Sequence, residues 1–425
     1  MSNIPRGTRD FLPFEQIQRE ILIEKIKRIF QKWGFDPIET PTFEYYKTLS
    51  GKYGEEGEKL IYKFTDLGGR ELGLKYDLTV PLARFFADHQ NEIVKPFKRY
   101  QIQPVFRAEK PQKGRYREFY QCDIDIVGSK NLISDATIIL TIDNALKEIG
   151  LKNFTFKINH RNFFYSISKA FNIEGREIEL ARSIDKLEKI GVDGVKDELL
   201  KKGFEEIIVD KVLEFLTSNK TIEEVLKKLS DDYAKIAYLE LSEIFKYLEI
   251  FNINFKFDIS LARGLDYYTG MIFETELNDI KIGSIASGGR YDNLIEIFTK
   301  YSVPAVGGSI GIDRLLTALF ELKSLNTKKT YSDVLIAFAE MEDNVIKYGF
   351  KILEIIQSLG YNVDLYCGNK DLRGQLGYAK DKGIDMVIII GSEELKKGSV
   401  QLKILSKNEQ KEVFLNELKE CLNFK

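Results

Sequence analysis

Residues 261–274 read LARGLDYYTGMIFE, which gathers a guanidinium (Arg263), a carboxylate (Asp266) and two phenols (Tyr267, Tyr268) around one turn. Gly264 and Gly270 permit the turn, and Met271, Ile272 and Phe273 then read as a strand. Every buried polar group must find a partner, so a core strand has no use for this density. A site that holds a small, charged, hydrogen-bonding ligand does.

Three further stretches carry the same kind of signal. In FKRYQIQPVFRAEKPQKGRYREFYQCDIDIVG (97–128), Arg107 and Glu109 end one expected strand, while Arg115 and Arg117 open the next. A basic loop between antiparallel strands can wrap a polyanion, and the arginine fork grips phosphate with two hydrogen bonds. Period-two alternation puts Phe119, Gln121, Asp123 and Asp125 on one face, a set suited to a nucleobase and a cationic amino group. The competing reading is an exposed hairpin with a solvated charge run. In ELGLKYDLTVPLARFFA (71–87), Asp77 and Thr79 point the same way before an apolar helix, where helix capping competes with ligand binding. SGGRYDNL (287–294) is followed by VGGSIGIDRL (306–315), with Arg314 in the first turn of the coming helix. Those glycines suit either an anion at a helix N-terminus or a packed strand-to-helix turn. Neither a GK[ST] nor a clean GxGxxG pattern is present.

The elements that position these groups follow from periodicity. Leu22, Ile26, Ile29, Phe30 and Trp33 repeat at helical spacing over 14–33, and Gly34 closes that helix. Pro37 and Pro41 keep 35–44 extended. IYKFTDLGGRELGL reads as a hairpin with a GG turn. Residues 166–250 hold Glu, Lys, Leu and Ile at helical spacing and read as an inserted helical module. Strands return over 253–310, and a helix carries Leu315, Leu316 and Leu319 on one face. KSLNTKKTYS (323–332) reads as a linker, and the β-α-β-α-β pattern beyond it signals a small parallel-sheet domain.

Composition excludes several classes. The 425 residues suit two or three domains, and 63 basic against 65 acidic residues leave no overall charge that marks a nucleic-acid binder. Three dispersed cysteines (Cys122, Cys367, Cys421) argue against a disulfide framework or a zinc site and for a reducing cytoplasm. No membrane-length apolar run or signal-peptide pattern is found. With His89 and His160 alone, histidine-based catalysis has little to work with, and His160 reads as a surface or turn residue at a strand end.

Together the segments resemble the class II aminoacyl-tRNA synthetases, and within them the histidyl-tRNA synthetase family, over almost the whole chain. PRGTRDFLP is similar to that family's N-terminal signature, and Pro41 sits where the dimer-forming motif 1 has its proline. FRAEKPQKGRYREFYQCDID resembles motif 2, and VGGSIGIDRL resembles motif 3. LARGLDYYTGMIFE and SGGRYDNL resemble the two blocks peculiar to the histidine enzymes. The resemblance implies an α+β catalytic domain (1–322) on a mainly antiparallel, six-stranded-type sheet flanked by helices, with a helical insertion (166–250). A linker (323–330) and a C-terminal α/β anticodon-binding domain (331–425) would follow.

The resemblance also implies roles. Arg107 and Arg263 would be catalytic, gripping the α-phosphate and the substrate carboxylate. Arg107, Glu109, Arg115, Phe119 and Arg314 would bind ATP, which arrives with Mg2+ and needs no metal site made by protein alone. Asp77, Thr79, Gln121, Asp125, Arg263, Tyr267 and Tyr268 would bind histidine, with Asp125 and Tyr268 on the imidazole nitrogens. Gln112 would contact tRNA. The expected activity activates histidine with ATP to histidyl-adenylate and pyrophosphate, then transfers histidine to tRNA(His), in a cytoplasmic homodimer without membrane contact. The alternative is a non-catalytic, synthetase-like histidine sensor, the regulatory subunit of ATP phosphoribosyltransferase, which would be expected to lose the motif arginines and the C-terminal domain. Three departures stand out: Lys75-Tyr76 where many relatives carry Arg-Pro, Asp125 for a glutamate, and Gly374 and Gly377 where relatives often place lysines. Chemically, adenylation brings two anions together, so permanent positive charge between them lowers the barrier. A neutral imidazole offers one donor and one acceptor, which an acid–phenol pair can select.

Overall fold

The computed structural model describes residues 3–422 apart from 113, 219, 263–266, 326 and 327, and not the side chains of 55 and 56. The chain divides into two compact units. One holds Ile21–Ser324 with the N-terminal stretch up to Arg9, and the other holds Asp10–Glu20 with the chain from Leu325 onward.

The first unit is built on an eight-stranded sheet. Its spatial order is Asp36–Pro37, Phe97–Phe106, Glu118–Val127, Ala305–Gly311, Ala286–Arg290, Met271–Leu277, Phe154–His160 and Phe255–Phe257. The six central strands pair antiparallel, and the two short edge strands pair parallel. The expected six-stranded sheet is thus the antiparallel run of a larger mixed one. Edges of two and three residues are too short for any alternation to be read. The hairpin expected at 62–74 forms from Lys63–Thr65 and Glu71–Leu74, joined by Phe43–Tyr45 in a separate three-stranded sheet.

Helices back the large sheet. In Pro13–Lys32 the stripe Leu22, Ile26, Ile29 and Phe30 is buried, and Gly34 leaves the helix at φ 75°, a conformation glycine adopts without cost. Ile133–Glu148 presents Ile138 and Ile142, both fully buried. Six helices fill the stretch from Asn162–Ala170 to Asp232–Ile250, with no strand among the described residues. His160 ends its strand as expected but is buried, which corrects the surface reading. Its Nδ1 accepts from the Asn162 N–H at 3.1 Å, and its Nε2 lies 2.9 Å from Glu240 on the last of these helices. A partner 80 residues away supplies the hydrogen bond that burial demands.

The second unit has a five-stranded sheet ordered Val363–Leu365, Val334–Phe338, Met386–Ile390, Ser399–Ile404 and Glu409–Phe414. Its first three strands are parallel, with Asp343–Ser358 and Leu372–Lys382 as the helical connections. The antiparallel pair beyond Met386–Ile390 extends the β-α-β-α-β pattern. Among the described residues, no helix is long and apolar enough to cross a membrane.

Candidate active site

One face of the large sheet is polar, buried around Arg99, Asp123 and Asp125 and half-buried toward Gln121. Register sets Arg99 opposite Asp125, Gln101 opposite Asp123 and Gln103 opposite Gln121. On the other side Gly307 faces Asp125, Ser309 faces Asp123 and Gly311 faces Gln121. Alternation turns Cys122, Ile124 and Ile126 into the apolar core behind.

The glycine pairs are central to this face. A Cβ on Gly307 would lie 1.8 Å from Asp125 Oδ1, and one on Gly289 would lie 3.0 Å from Tyr268. On the reverse face a Cβ on Gly308 would come within 2.7 Å of Ile142, and one on Gly288 within 2.1 Å of the Gly307 carbonyl oxygen. The VGG and SGG pairs therefore lie within paired strands, not at an anion-binding turn. They leave room for Asp125 and Tyr268 on one side and for close packing on the other. Gly311 alone meets the helix Ile312–Glu321, as its N-cap, and Arg314 is in that helix's first turn.

Three buried carboxylates converge here. Asp125 accepts a hydrogen bond from the Tyr291 hydroxyl, and its Oδ2 is 2.6 Å from Arg99. Burial pushes its carboxyl up, against the pull of Arg99 and Tyr291. An ion pair this deep contributes little net stability, but it fixes the carboxylate. Asp77 accepts from the Val80 N–H and the Tyr53 hydroxyl, both at 3.0 Å, and from the Tyr267 hydroxyl at 3.4 Å. Burial raises its pKa as well. Capping and site membership were alternatives in the sequence; Asp77 accepts an N–H at the start of the helix and is also hydrogen-bonded to the two phenols beside the polar face. Thr79 opens the helix Thr79–His89 and hydrogen-bonds Tyr267. Asp123 is raised to about 7, by burial first, with Arg99 opposing and Asp125 adding to the shift.

Hydrogen bonding on this face is incomplete. Arg99 Nε, Gln121 Oε1 and Asp123 Oδ1 are buried without a hydrogen-bond partner among the described residues, while Asp125 Oδ2 and Glu109 Oε2 are met only by the ion pairs to Arg99 and Arg115. Gln121 uses only its amide nitrogen, donated to Ser309 at 2.8 Å. Unmet groups concentrated in one place mark where a ligand or ordered water completes the structure.

Beside this face stands the Arg107 guanidinium. Arg107 donates from Nε to the Tyr76 carbonyl at 3.1 Å. Its guanidinium stands 4.3 Å from the Tyr76 ring centroid and 5.2 Å from that of Phe119. Tyr76, one of the departures from the family pattern, thus holds the arginine through backbone and ring. Burial works against the Arg107 charge, but Tyr76, Glu109 and Asp77 prevail and raise its pKa. Lys75 is buried, bonded to Gln103 at 2.7 Å, and burial lowers it to about 8.

Across the strand-connecting loop, Glu109 pairs with Arg115 at 3.1 Å. Gln112 is exposed at a tight turn closed by backbone hydrogen bonds to Arg115. Arg117 donates to the Glu109 and Arg6 carbonyls, and Arg9 covers the Tyr116 ring and pairs with Asp313. Arg314 donates to the Ser284 carbonyl, and its Cγ would lie 3.9 Å from a Cβ on Gly114 in the loop.

Asp77, Thr79, Gln121, Asp125, Tyr267 and Tyr268 therefore gather around one face, with Arg107 and Phe119 alongside. Tyr267 and Tyr268 pack edge to face at 5.0 Å and line an apolar cluster with Tyr53, Tyr76 and Tyr291. Arg263 and its catalytic assignment lie outside the described residues. Arg99, Tyr53 and Tyr291 were missed. Tyr291 was within reach as the tyrosine of SGGRYDNL, whereas Arg99 is revealed only by strand register.

Comparison with known proteins adds to this geometry. Residues 7–315 match the family model described as histidyl-tRNA synthetase, and residues 333–424 match that of an anticodon binding domain. The chain is similar to the histidine–tRNA ligase of Korarchaeum cryptofilum, at 40% identity over 99% of this chain and 98% of the relative. It is 38% identical to that of Cytophaga hutchinsonii, with 98% of each chain covered. Among solved structures, histidyl-tRNA synthetase from Nostoc sp. PCC 7120 superposes with a TM-score of 0.83 at 33% identity, covering 98% of each chain.

Proposed function

The chain belongs to the histidyl-tRNA synthetase family, and from that premise we propose that it is a histidine–tRNA ligase. It activates histidine with ATP, releases pyrophosphate, and passes histidine to tRNA(His). The observation that carries the reading is the half-satisfied polar face around Gln121 and Asp125, with the Arg107 guanidinium fixed beside it.

The residues divide into two tasks. Arg107, with Arg263, supplies the positive charge under which a carboxylate oxygen attacks the α-phosphorus. Arginine keeps that charge at any working pH, and Arg107 is already clamped by Tyr76, so little reorganisation is needed. Phe119 offers its ring to adenine, while Glu109, Arg115 and Arg314 handle the nucleotide and its outer phosphates. ATP enters as its Mg2+ complex. Asp77, Thr79 and Gln121 receive the α-amino group, with Tyr267 holding Asp77. Asp125 and Tyr268 select the imidazole. Both ring nitrogens must be met for the face to be satisfied, and a site of this kind rejects analogues lacking them by roughly 10⁴-fold.

Residues 1–322 then form the catalytic domain, with 166–250 as its insertion, and 323–330 the linker to an anticodon-binding domain at 331–425. Gln112, exposed at the loop tip, contacts the tRNA. The protein works as a homodimer, and the exposed Phe43, Tyr45 and Phe64 of the small three-stranded sheet, with Leu67 in its hairpin turn, supply an apolar surface for it. The three free cysteines suit the reducing cytoplasm. The sensor alternative has no feature in its favour, because Arg107, Arg314 and the 333–424 match are all present.

The test is charging. Purified protein with ATP, Mg2+ and labelled histidine should form acid-precipitable histidyl-tRNA with tRNA(His) and not with a non-cognate tRNA. Histidine binding without any ATP-dependent transfer would instead favour the sensor.

A further inference from the structure

Asp125 is already heavily committed. One oxygen accepts from Tyr291 and the other pairs with Arg99. Two residues earlier on the same face, Asp123 has a different balance. It is buried, and its Oδ1 has no hydrogen-bond partner. Gln101 opposite it gives its amide hydrogens to Thr40 and Gln103 instead. Ser309, opposite on the other side, receives Gln121 and also supports the Asp123 carboxyl. Leaving a carboxylate oxygen buried and unmet is costly, and a purely structural residue at this position would have been paired. Strand geometry places Asp123 about 7 Å from both Gln121 and Asp125, between the groups assigned to the amino end and the ring.

We propose that Asp123 is a further specificity-determining residue: its open carboxyl oxygen takes an N–H of the bound histidine, while Asp125 is held by Arg99 and Tyr291. The inference rests on the histidine pocket proposed above and adds a third carboxylate to it. The charged and titratable groups that face Asp123 are Arg99 on the preceding strand, Asp125 on its own strand, and Asp77 before the helix. They leave its carboxyl titrating at about 7, so the apo protein carries a partly protonated group that substrate binding would ionise. The folded protein binds that proton more tightly than the unfolded chain does. Asp123 therefore costs stability progressively as pH rises from the ordinary carboxylate range to about 7, and fully above it.

Histidine-dependent ATP–pyrophosphate exchange and thermal melts on wild type, Asp123→Asn and Asp123→Ala separate binding from structure. Both variants should raise KM for histidine at least about tenfold, by the usual cost of an unmet polar contact, and leave KM for ATP unchanged. Their melting temperatures at pH 8 should equal or exceed wild type. Calorimetric titration of histidine in two buffers of different ionisation enthalpy should show proton release from wild type that is diminished in Asp123→Asn. An unchanged KM for histidine in both variants, beside a histidine-dependent wild type, would overturn the role of Asp123 alone. Lower melting temperatures with both KM values shifted together would make it structural and overturn the role equally. A wild type indifferent to histidine would overturn the pocket and this inference with it.

Discussion

Two glutamines, Gln375 buried and Gln121 half-buried, show how the units differ. Gln375, on the Leu372–Lys382 helix of the second unit, accepts from the Phe338 N–H at 2.8 Å and donates to the Phe338 and Lys370 carbonyls at 2.9 and 3.1 Å. It stitches a helix to the end of a strand and has nothing left over. Gln121 in the first unit donates once, to Ser309, and its carbonyl oxygen has no partner. The surroundings repeat the contrast. Among the described residues of 331–422, no buried side-chain polar atom lacks a partner, whereas the face around Gln121 holds several. A complete network stabilises a fold, and an incomplete one awaits a ligand. The second unit's interior is closed, so any nucleic-acid recognition there must use its surface.

Perturbing the open face should damage chemistry before stability. The largest effect is expected for Arg107→Ala or Arg263→Ala, each of which should slow adenylate formation by about 10²-fold or more. Near-normal pyrophosphate exchange would remove the assigned role from whichever arginine was changed. Next comes Gly307→Ala. The new Cβ would sit 1.8 Å from Asp125 Oδ1, so the carboxylate must leave its place. We expect a raised KM for histidine together with about 1–3 kcal/mol of destabilisation in urea melts. An unaffected KM would mean that the position of Asp125 does not matter. The glutamines give the sharpest contrast and the smallest kinetic effect. Gln121→Ala should raise KM for histidine about tenfold with little change in stability. Gln375→Ala should leave exchange kinetics intact and cost about 1–3 kcal/mol for each backbone group it strands. Reversal of that pattern would erase the distinction between the two units.

Much of this was legible in the chain. The helix at 13–32, the hairpin at 63–74, the paired strands around the basic loop and the β-α-β-α-β run all follow from periodicity and turn residues that act locally. Gln121, Asp125, Tyr267 and Tyr268 were singled out because polar types stood where a core element would exclude them, Asp77 stood equally as a helix cap, and the roles assigned to all five came from the family resemblance. What stayed hidden depends on distance in the sequence. Arg99 is an unremarkable basic residue until strand register sets it against Asp125. The glycines of VGGSIGIDRL could be read as an anion-binding turn until strand pairing sets Gly307 and Gly308 against Gly289 and Gly288. His160 looked exposed because its partner, Glu240, lies on the last helix of the insertion, 80 residues away. Asp123 was visible on the right face, but nothing local indicated that one of its oxygens would be left open.

The most direct test of the open face is ATP–pyrophosphate exchange measured with each of the twenty amino acids in turn. The account predicts exchange with histidine and background rates with the other nineteen. A flat response, or a preference for an amino acid without an imidazole, would contradict it.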